Sequence, residues 1–169
     1  MTNIRYVEAP EAIRKDLPRP FVFLAGGITR CPDWQSEAVS MIFSSATGRC
    51  TVLNPRRHRF PIDDPGASRE QIEWEFAALG QADIVCFWFS RGSANPIVFF
   101  EYGTWLTHGA LVGRPRVIVG CDPKFSRRRD VEIQTSLRDR TILVHGDVSA
   151  LVIKLLALIR PPYSGPCRN

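Results

Sequence analysis

Asp83-Ile84-Val85-Cys86-Phe87-Trp88-Phe89, then the Ser90–Asn95 loop, then Pro96-Ile97-Val98-Phe99-Phe100-Glu101: this stretch decides the fold. Apart from Asp83 the first segment is uninterruptedly apolar. Such a run has no polar face, so it reads as a strand buried on both sides, as in a parallel sheet covered by helices. Asn95 as N-cap and Pro96 at the first helical position open a helix expected to stop at Gly113. Strand, loop and helix in that order form the repeating unit of an α/β protein.

The same unit recurs on either side. Phe21–Ala25 reads as a buried strand ending in Gly26-Gly27, and Asp33–Ala46 has helical spacing through Trp34, Ala38, Met41 and Ile42. Thr51–Leu53 is a short strand running into Asn54-Pro55-Arg56-Arg57. Ser68 to Gln71 has the S-x-x-Q form of a capping box and predicts a helix to about Gly80. Arg116–Gly120 and Thr141–Val144 are further strands, and Asp147–Ile159 is a final amphipathic helix. The expectation is a single-domain, doubly wound (flavodoxin/Rossmann-like) α/β fold, with a five-stranded, mostly parallel sheet and helices on both faces. Residues 1–20, with Pro10, Pro18 and Pro20, read as an irregular arm containing one short strand near Ile4–Val7. Residues 21–160 form the domain and 161–169 a loose tail. Ligands of such sheets bind at the carboxyl ends of the strands, beside the switch in strand order. The Gly26-Gly27, Asn54–Arg57, Ser90–Asn95 and Gly120–Arg129 loops are therefore expected on one edge.

Composition bounds the function. The 169 residues are 44% hydrophobic, which excludes a mainly disordered chain and suits one domain. No apolar run approaches the ~20 residues of a membrane helix, and the N-terminus has no signal-peptide core, so a soluble, cytoplasmic protein is expected. Five scattered cysteines without a C-x-x-C pair argue against a zinc site and a disulfide framework. Cys86 and Cys121 read as small buried hydrophobes. The net charge of +5 leaves three readings open: a nucleic-acid binder, a phosphate site, or a solvated surface. Arg127-Arg128-Arg129 lacks interleaved aromatics and reads as solvated surface or a flap.

Two carboxylates stand out. Glu101 is the sole charged residue of Pro96–Val112 and falls among Ile97, Trp105, His108 and Val112 at 100° per residue. A carboxylate there loses hydration and needs partners, a raised pKa or a function. Glu75 borders the stripe of Ile72, Phe76 and Leu79. A pair of carboxylates near one pocket suits chemistry at an anomeric carbon, one attacking and the other handling the leaving group's proton. Gly26-Gly27 lets backbone approach a ligand closely. It is not a G-x-G-x-x-G motif, and no acidic residue ends the second strand, so a dinucleotide site is disfavoured. Arg56 and Arg57 at a strand end can reach a phosphate or a base edge. Asp83 suits turn amides and is carried as a further candidate contact. Trp34 and Trp74, near helix starts, can flank a ligand, while His108 reads as a packed helix residue.

The segments Phe23-Leu24-Ala25-Gly26-Gly27-Ile28, Asp33-Trp34-Gln35, Leu53-Asn54-Pro55-Arg56-Arg57, Gln71 with Trp74-Glu75, Ala82-Asp83-Ile84, and Asn95-Pro96-Ile97 through Glu101-Tyr102-Gly103 resemble the nucleoside 2-deoxyribosyltransferase-like family. The resemblance runs from about Phe21 to Val144. It implies the sheet argued above and cleavage of the N-glycosidic bond of 2′-deoxynucleosides or their 5′-monophosphates, by transfer or hydrolysis. It implies Glu101 as the nucleophile forming a deoxyribosyl-enzyme, and Glu75 as the residue that exchanges a proton with the base or holds it. Gly26, Gly27 and Asn95 would line the sugar, Asn54 and Arg56 would meet the base or a phosphate, and Ile28 and Asp83 are further candidate substrate contacts. It further implies no metal or redox cofactor, a small-molecule partner rather than nucleic acid or membrane, and a homo-oligomer in which neighbouring subunits complete the site. The chain departs from the better-known branch in carrying Phe23 for a tyrosine and Glu75 for an aspartate. Rival readings are a non-catalytic nucleotide-binding module, an NAD glycohydrolase and a basic nucleic-acid-binding domain.

Overall fold

The computed structural model describes residues 2–45, 47–94 and 96–159. Its elements, in chain order, are β1 (Asn3–Glu8), β2 (Phe21–Gly26), α1 (Trp34–Ser45), β3 (Arg49–Asn54), α2 (Ala67–Gln81), β4 (Ile84–Phe89), α3 (Pro96–Val112), β5 (Arg116–Cys121), α4 (Arg128–Arg138), β6 (Val144–His145) and α5 (Val148–Ile159). One sheet takes the order β1-β3-β2-β4-β5-β6, and every pairing is parallel. The doubly wound α/β reading therefore holds, with six strands instead of five.

The sixth strand is β1, which pairs with β3 over its whole length, from Asn3↔Arg49 to Glu8↔Asn54. As an edge strand it buries little beyond Val7, so its sequence carries a weak apolar signal. The larger correction is α4. Arg127–Arg129 was expected in a solvated loop, yet Arg128 opens a helix that buries only Val131 and Thr135. Most of its other residues are polar, which hid its period.

Alternation sorts the strands into two layers. Phe21, Phe23 and Ala25 of β2 and Val85, Phe87 and Phe89 of β4 face one core, with Trp74 and Ala78 of α2, Tyr102 and Leu106 of α3, and Val131 of α4. Val22, Leu24, Cys86 and Trp88 face the other, with Trp34 and Ile42 of α1 and Leu151 and Leu155 of α5. Apolar residues of both parities are what a strand buried on two faces requires. Cys86 and Cys121 are buried as expected. Gly113, at φ +75°, ends α3 in the left-handed conformation that glycine adopts without strain.

The S-x-x-Q segment does not cap α2. The helix begins at Ala67 with Gly66 at the N-cap and no side-chain cap, so Ser68 and Gln71 already lie within it. Asp147 caps α5, accepting a hydrogen bond from the Ala150 N–H at 2.7 Å.

Candidate functional site

The strand order reverses beside β2. From β2 the chain crosses to β3 on one side, then returns past β2 to β4 on the other. A cavity of about 630 Å³ opens at the carboxyl ends of this pair, the position expected for a ligand. Gly26 at the end of β2 lines it with Gly27 and Ile28 of the following loop, Glu75 from α2, Glu101 from α3, and Ser93 and Ala94 from the loop before α3. Gly26 is required by close approach. A Cβ there would stand 2.6 Å from the Trp88 carbonyl oxygen and 2.8 Å from the Trp34 ring.

Both carboxylates are half-buried. Burial pushes Glu101 up from 4.5 to about 7, and the nearby Glu75 charge adds to the rise. Glu75 is also raised by burial, but the Gln71 hydrogen bond and the Arg57 charge oppose it. The opposition is built by a chain of contacts. Glu70 accepts from Arg57 Nη2 at 2.8 Å, and Arg57 Nε donates to Gln71 Oε1 at 2.7 Å. Gln71 Nε2 then donates to Glu75 Oε1 and to the Pro55 carbonyl, each at 2.6 Å. Gln71 is therefore a positioning residue for Glu75. The sequence signal for it was the four-residue spacing that puts both side chains on one helix face.

The structure does not bring every candidate to the cavity. Asn54 is buried; its Oδ1 accepts from the Arg56 N–H at 3.0 Å and its Nδ2 donates to Tyr6 Oη at 2.9 Å, tying the loop to β1. Arg56 turns towards the start of α1, donating to the Pro32 carbonyl at 3.2 Å and Gln35 Oε1 at 3.3 Å, with Asp33 at 3.6 Å. Arg57 serves Gln71 as described and not the ligand space. Asp83 lies at the amino end of β4, a strand length of about 20 Å from the carboxyl edge. It accepts from the Phe21 N–H at 2.8 Å. Trp34 and Trp74 are buried; the Trp74 indole N–H donates to the Glu11 carbonyl at 2.7 Å. His108 is exposed instead of packed, with Nδ1 donating to the Arg114 carbonyl at 2.6 Å. Asn95, with its cap and sugar contact, lies outside the described residues.

Arg30 was missed. It lines the cavity at φ 58°, beyond the Gly26-Gly27 turn, and is the sole guanidinium among the described lining residues. Positive φ outside glycine is not written in a residue's type.

The two carboxylates thus stand together in a cavity at the switch point of a doubly wound sheet. The family model described as nucleoside 2-deoxyribosyltransferase like matches residues 19–125, more than half of the chain. The chain belongs to the nucleoside 2-deoxyribosyltransferase-like family. Membership points to an enzyme acting on a nucleoside. A search of curated proteins returns no match to the chain. Among the described residues no helix is long and apolar enough to cross a membrane.

Proposed function

We propose that the protein cleaves the N-glycosidic bond of a 2′-deoxynucleoside or its 5′-monophosphate, delivering the deoxyribosyl group to water or to a second base. The observation that carries this reading is the pair Glu75 and Glu101 in one cavity at the strand ends. The Glu101 carboxylate attacks C1′ as the bond to the base breaks. The bonding electrons leave with the base, which takes a proton from Glu75. The resulting deoxyribosyl ester of Glu101 is opened by water or an incoming base, whose proton returns to Glu75. Gly26, Gly27 and Ile28 line the sugar, and Arg30 supplies a cation for a 5′-phosphate.

The site is completed by a second copy of the chain. Ile72 and Ile97 line the cavity while 65% and 64% exposed, and Phe76 and Phe100 on the same helices are more exposed still. Large apolar side chains gathered at a pocket mouth mark a surface that is covered in use. Phe100→Asp is expected to turn an oligomer into a monomer in sedimentation velocity.

One assay tests the reaction. The protein is incubated with deoxynucleosides and their monophosphates, with and without a second base, and the products are separated by chromatography. Free base or exchanged nucleoside supports the reading. Thermal stabilisation by these compounds with no base released assigns a binding module instead. Release from NAD alone assigns a glycohydrolase of another substrate class.

A further inference from the structure

A second concave site lies at the opposite edge of the sheet. A cavity of about 630 Å³ there is lined by Arg19, Arg49, Arg114, Arg116 and Asp83. The four arginines come from separate places: the segment before β2, the start of β3, the turn after α3 and the start of β5. Parallel strands bring their amino ends together, and the chain puts a guanidinium beside three of them.

The one carboxylate is already committed. Its Oδ2 accepts from the Phe21 N–H at 2.8 Å and lies 3.3 Å from Arg19 Nε, while Oδ1 is 3.9 Å from Arg114 Nη1. Arg19 is held in place: it donates to the Gln81 carbonyl at 3.1 Å, and its guanidinium lies 4.4 Å over the Phe21 ring. Arg49 Nε donates to the Arg19 carbonyl at 3.2 Å. The Arg116 side chain makes no hydrogen bond or ion pair among the described residues. Four arginines and a single carboxylate therefore line one concave basin.

Arginines at this edge have an ordinary use, since α2 and α3 end here and their C-terminal carbonyls favour cations. Arg19 serves that use at Gln81, and its pairing with Asp83 accounts for the carboxylate. Arg49 and Arg116 have no carboxylate partner among the described residues, and Arg114 shares with Arg19 the one carboxylate there, so the basin keeps an excess of positive charge whose planar forks can each bind two phosphate oxygens.

We propose that this basin binds a small polyphosphate anion, such as the di- or triphosphate group of a nucleotide, at a site separate from the Glu75–Glu101 cavity. Concavity favours a compact anion over a nucleic-acid backbone, which needs charge spread along a stripe. The basin also accounts for part of the +5 charge of the chain.

The test is calorimetric titration of the full chain with tripolyphosphate, in parallel with ATP, with deoxyadenosine as a control and a single-stranded oligonucleotide as a competitor. Arg114→Ala/Arg116→Ala is the main variant, because both side chains are exposed and make no strong internal bond. Arg127→Ala is the remote control and Arg30→Ala reports on the other cavity. Saturable one-to-one binding of both tripolyphosphate and ATP, weakened at least tenfold in the double variant and unchanged in Arg127→Ala, is the result expected. Tripolyphosphate binding with ATP excluded narrows the ligand to a free polyphosphate and still supports the site. No saturable binding overturns the proposal. So does binding untouched by the double variant or abolished by Arg30→Ala. Oligonucleotide binding that outcompetes tripolyphosphate, with a salt slope of several contacts, also overturns it in favour of nucleic acid.

Discussion

The two edges of the sheet differ in what their charged side chains do. At the carboxyl edge two carboxylates are held half-buried beside a cavity, with no arginine among the described residues bonded directly to either, and their protonation is displaced from ordinary values. At the amino edge a carboxylate of the same chemistry, Asp83, accepts a backbone N–H and sits beside Arg19 and Arg114. The contrast teaches that a charged residue near a strand end is not informative in itself. What matters is whether its partners satisfy it. Asp83 is satisfied by the fold, whereas Glu101 makes no side-chain hydrogen bond or ion pair among the described residues.

Exchanging the two residues' roles is the sharpest way to break this comparison. Glu101→Ala is expected to lower base release at least about a thousandfold, as removal of a nucleophile does, with the fold intact by circular dichroism. Undiminished release in the purified variant sinks the mechanism. Gln71→Ala comes next. It leaves both carboxylates in place but removes the hydrogen bond that orients Glu75 towards the cavity, so a loss of about tenfold in kcat is expected. A purely structural role for Gln71 would leave the pH profile in place. Loss of its bond to Glu75 moves the acidic limb to higher pH, and Gln71→Glu does not restore it.

The pH profile sharpens the assignment within the pair. The proposed step needs the pair's single proton on Glu75, whereas burial keeps it mainly on Glu101, so the reactive form is the minor arrangement of the singly protonated pair. With the last proton of the pair leaving near 7, kcat/KM is expected to fall as pH rises above about 7. It also falls on the acid side, where both carboxyls hold protons. A profile that instead keeps climbing through 7 removes the proton transfer from Glu75 and leaves it only the base to hold.

At the other edge the expected effect is on stability. Asp83→Ala strands the Phe21 N–H and the Arg19 guanidinium, a loss of about 1–3 kcal/mol. In a chain of this length that lowers Tm by roughly 3–10 °C. Differential scanning calorimetry reads the shift, and the rate of base release per folded molecule stays as in the parent.

These contrasts also explain what could be read from the residues alone. β2, β4 and β5 were legible because strands covered on both faces are continuously apolar, and α3 because Pro96 and Gly113 punctuate it. α4 was not, since a helix burying only Val131 and Thr135 offers no stripe. In the site, Glu101, Glu75, Gly26, Gly27 and Ile28 were legible as a set, because a lone carboxylate in an apolar helix and a double glycine after a strand are both costly without a use. Asn54 and Arg56 end a strand at the correct edge, yet their side chains turn to Tyr6 and to the start of α1. Position along a strand is written in the pattern, but the direction of a loop side chain is set by neighbours distant in sequence. The Arg57–Gln71–Glu75 chain was half legible, its helical spacing being visible and its arginine link not.

The smallest effect separates the edges by pH alone. A carboxyl whose pKa is raised in the folded state binds more protons folded than unfolded between the two values, so stability falls as pH rises through that window. For Glu101 the window runs from its ordinary 4.5 to about 7. Below it the side chain is neutral in both states and costs nothing. Above it the folded chain carries a half-buried charge. Glu101→Gln removes this penalty, so its Tm relative to the parent is expected to rise between pH 5 and pH 8. The half-exposed position screens the charge, which holds the gain to about 2–4 °C, the shift made by 1 kcal/mol at this size. An equal Tm difference at both pH values would mean that Glu101 ionises at the same pH in the folded and unfolded chain, and the unsatisfied character that sets it apart from Asp83 would be lost.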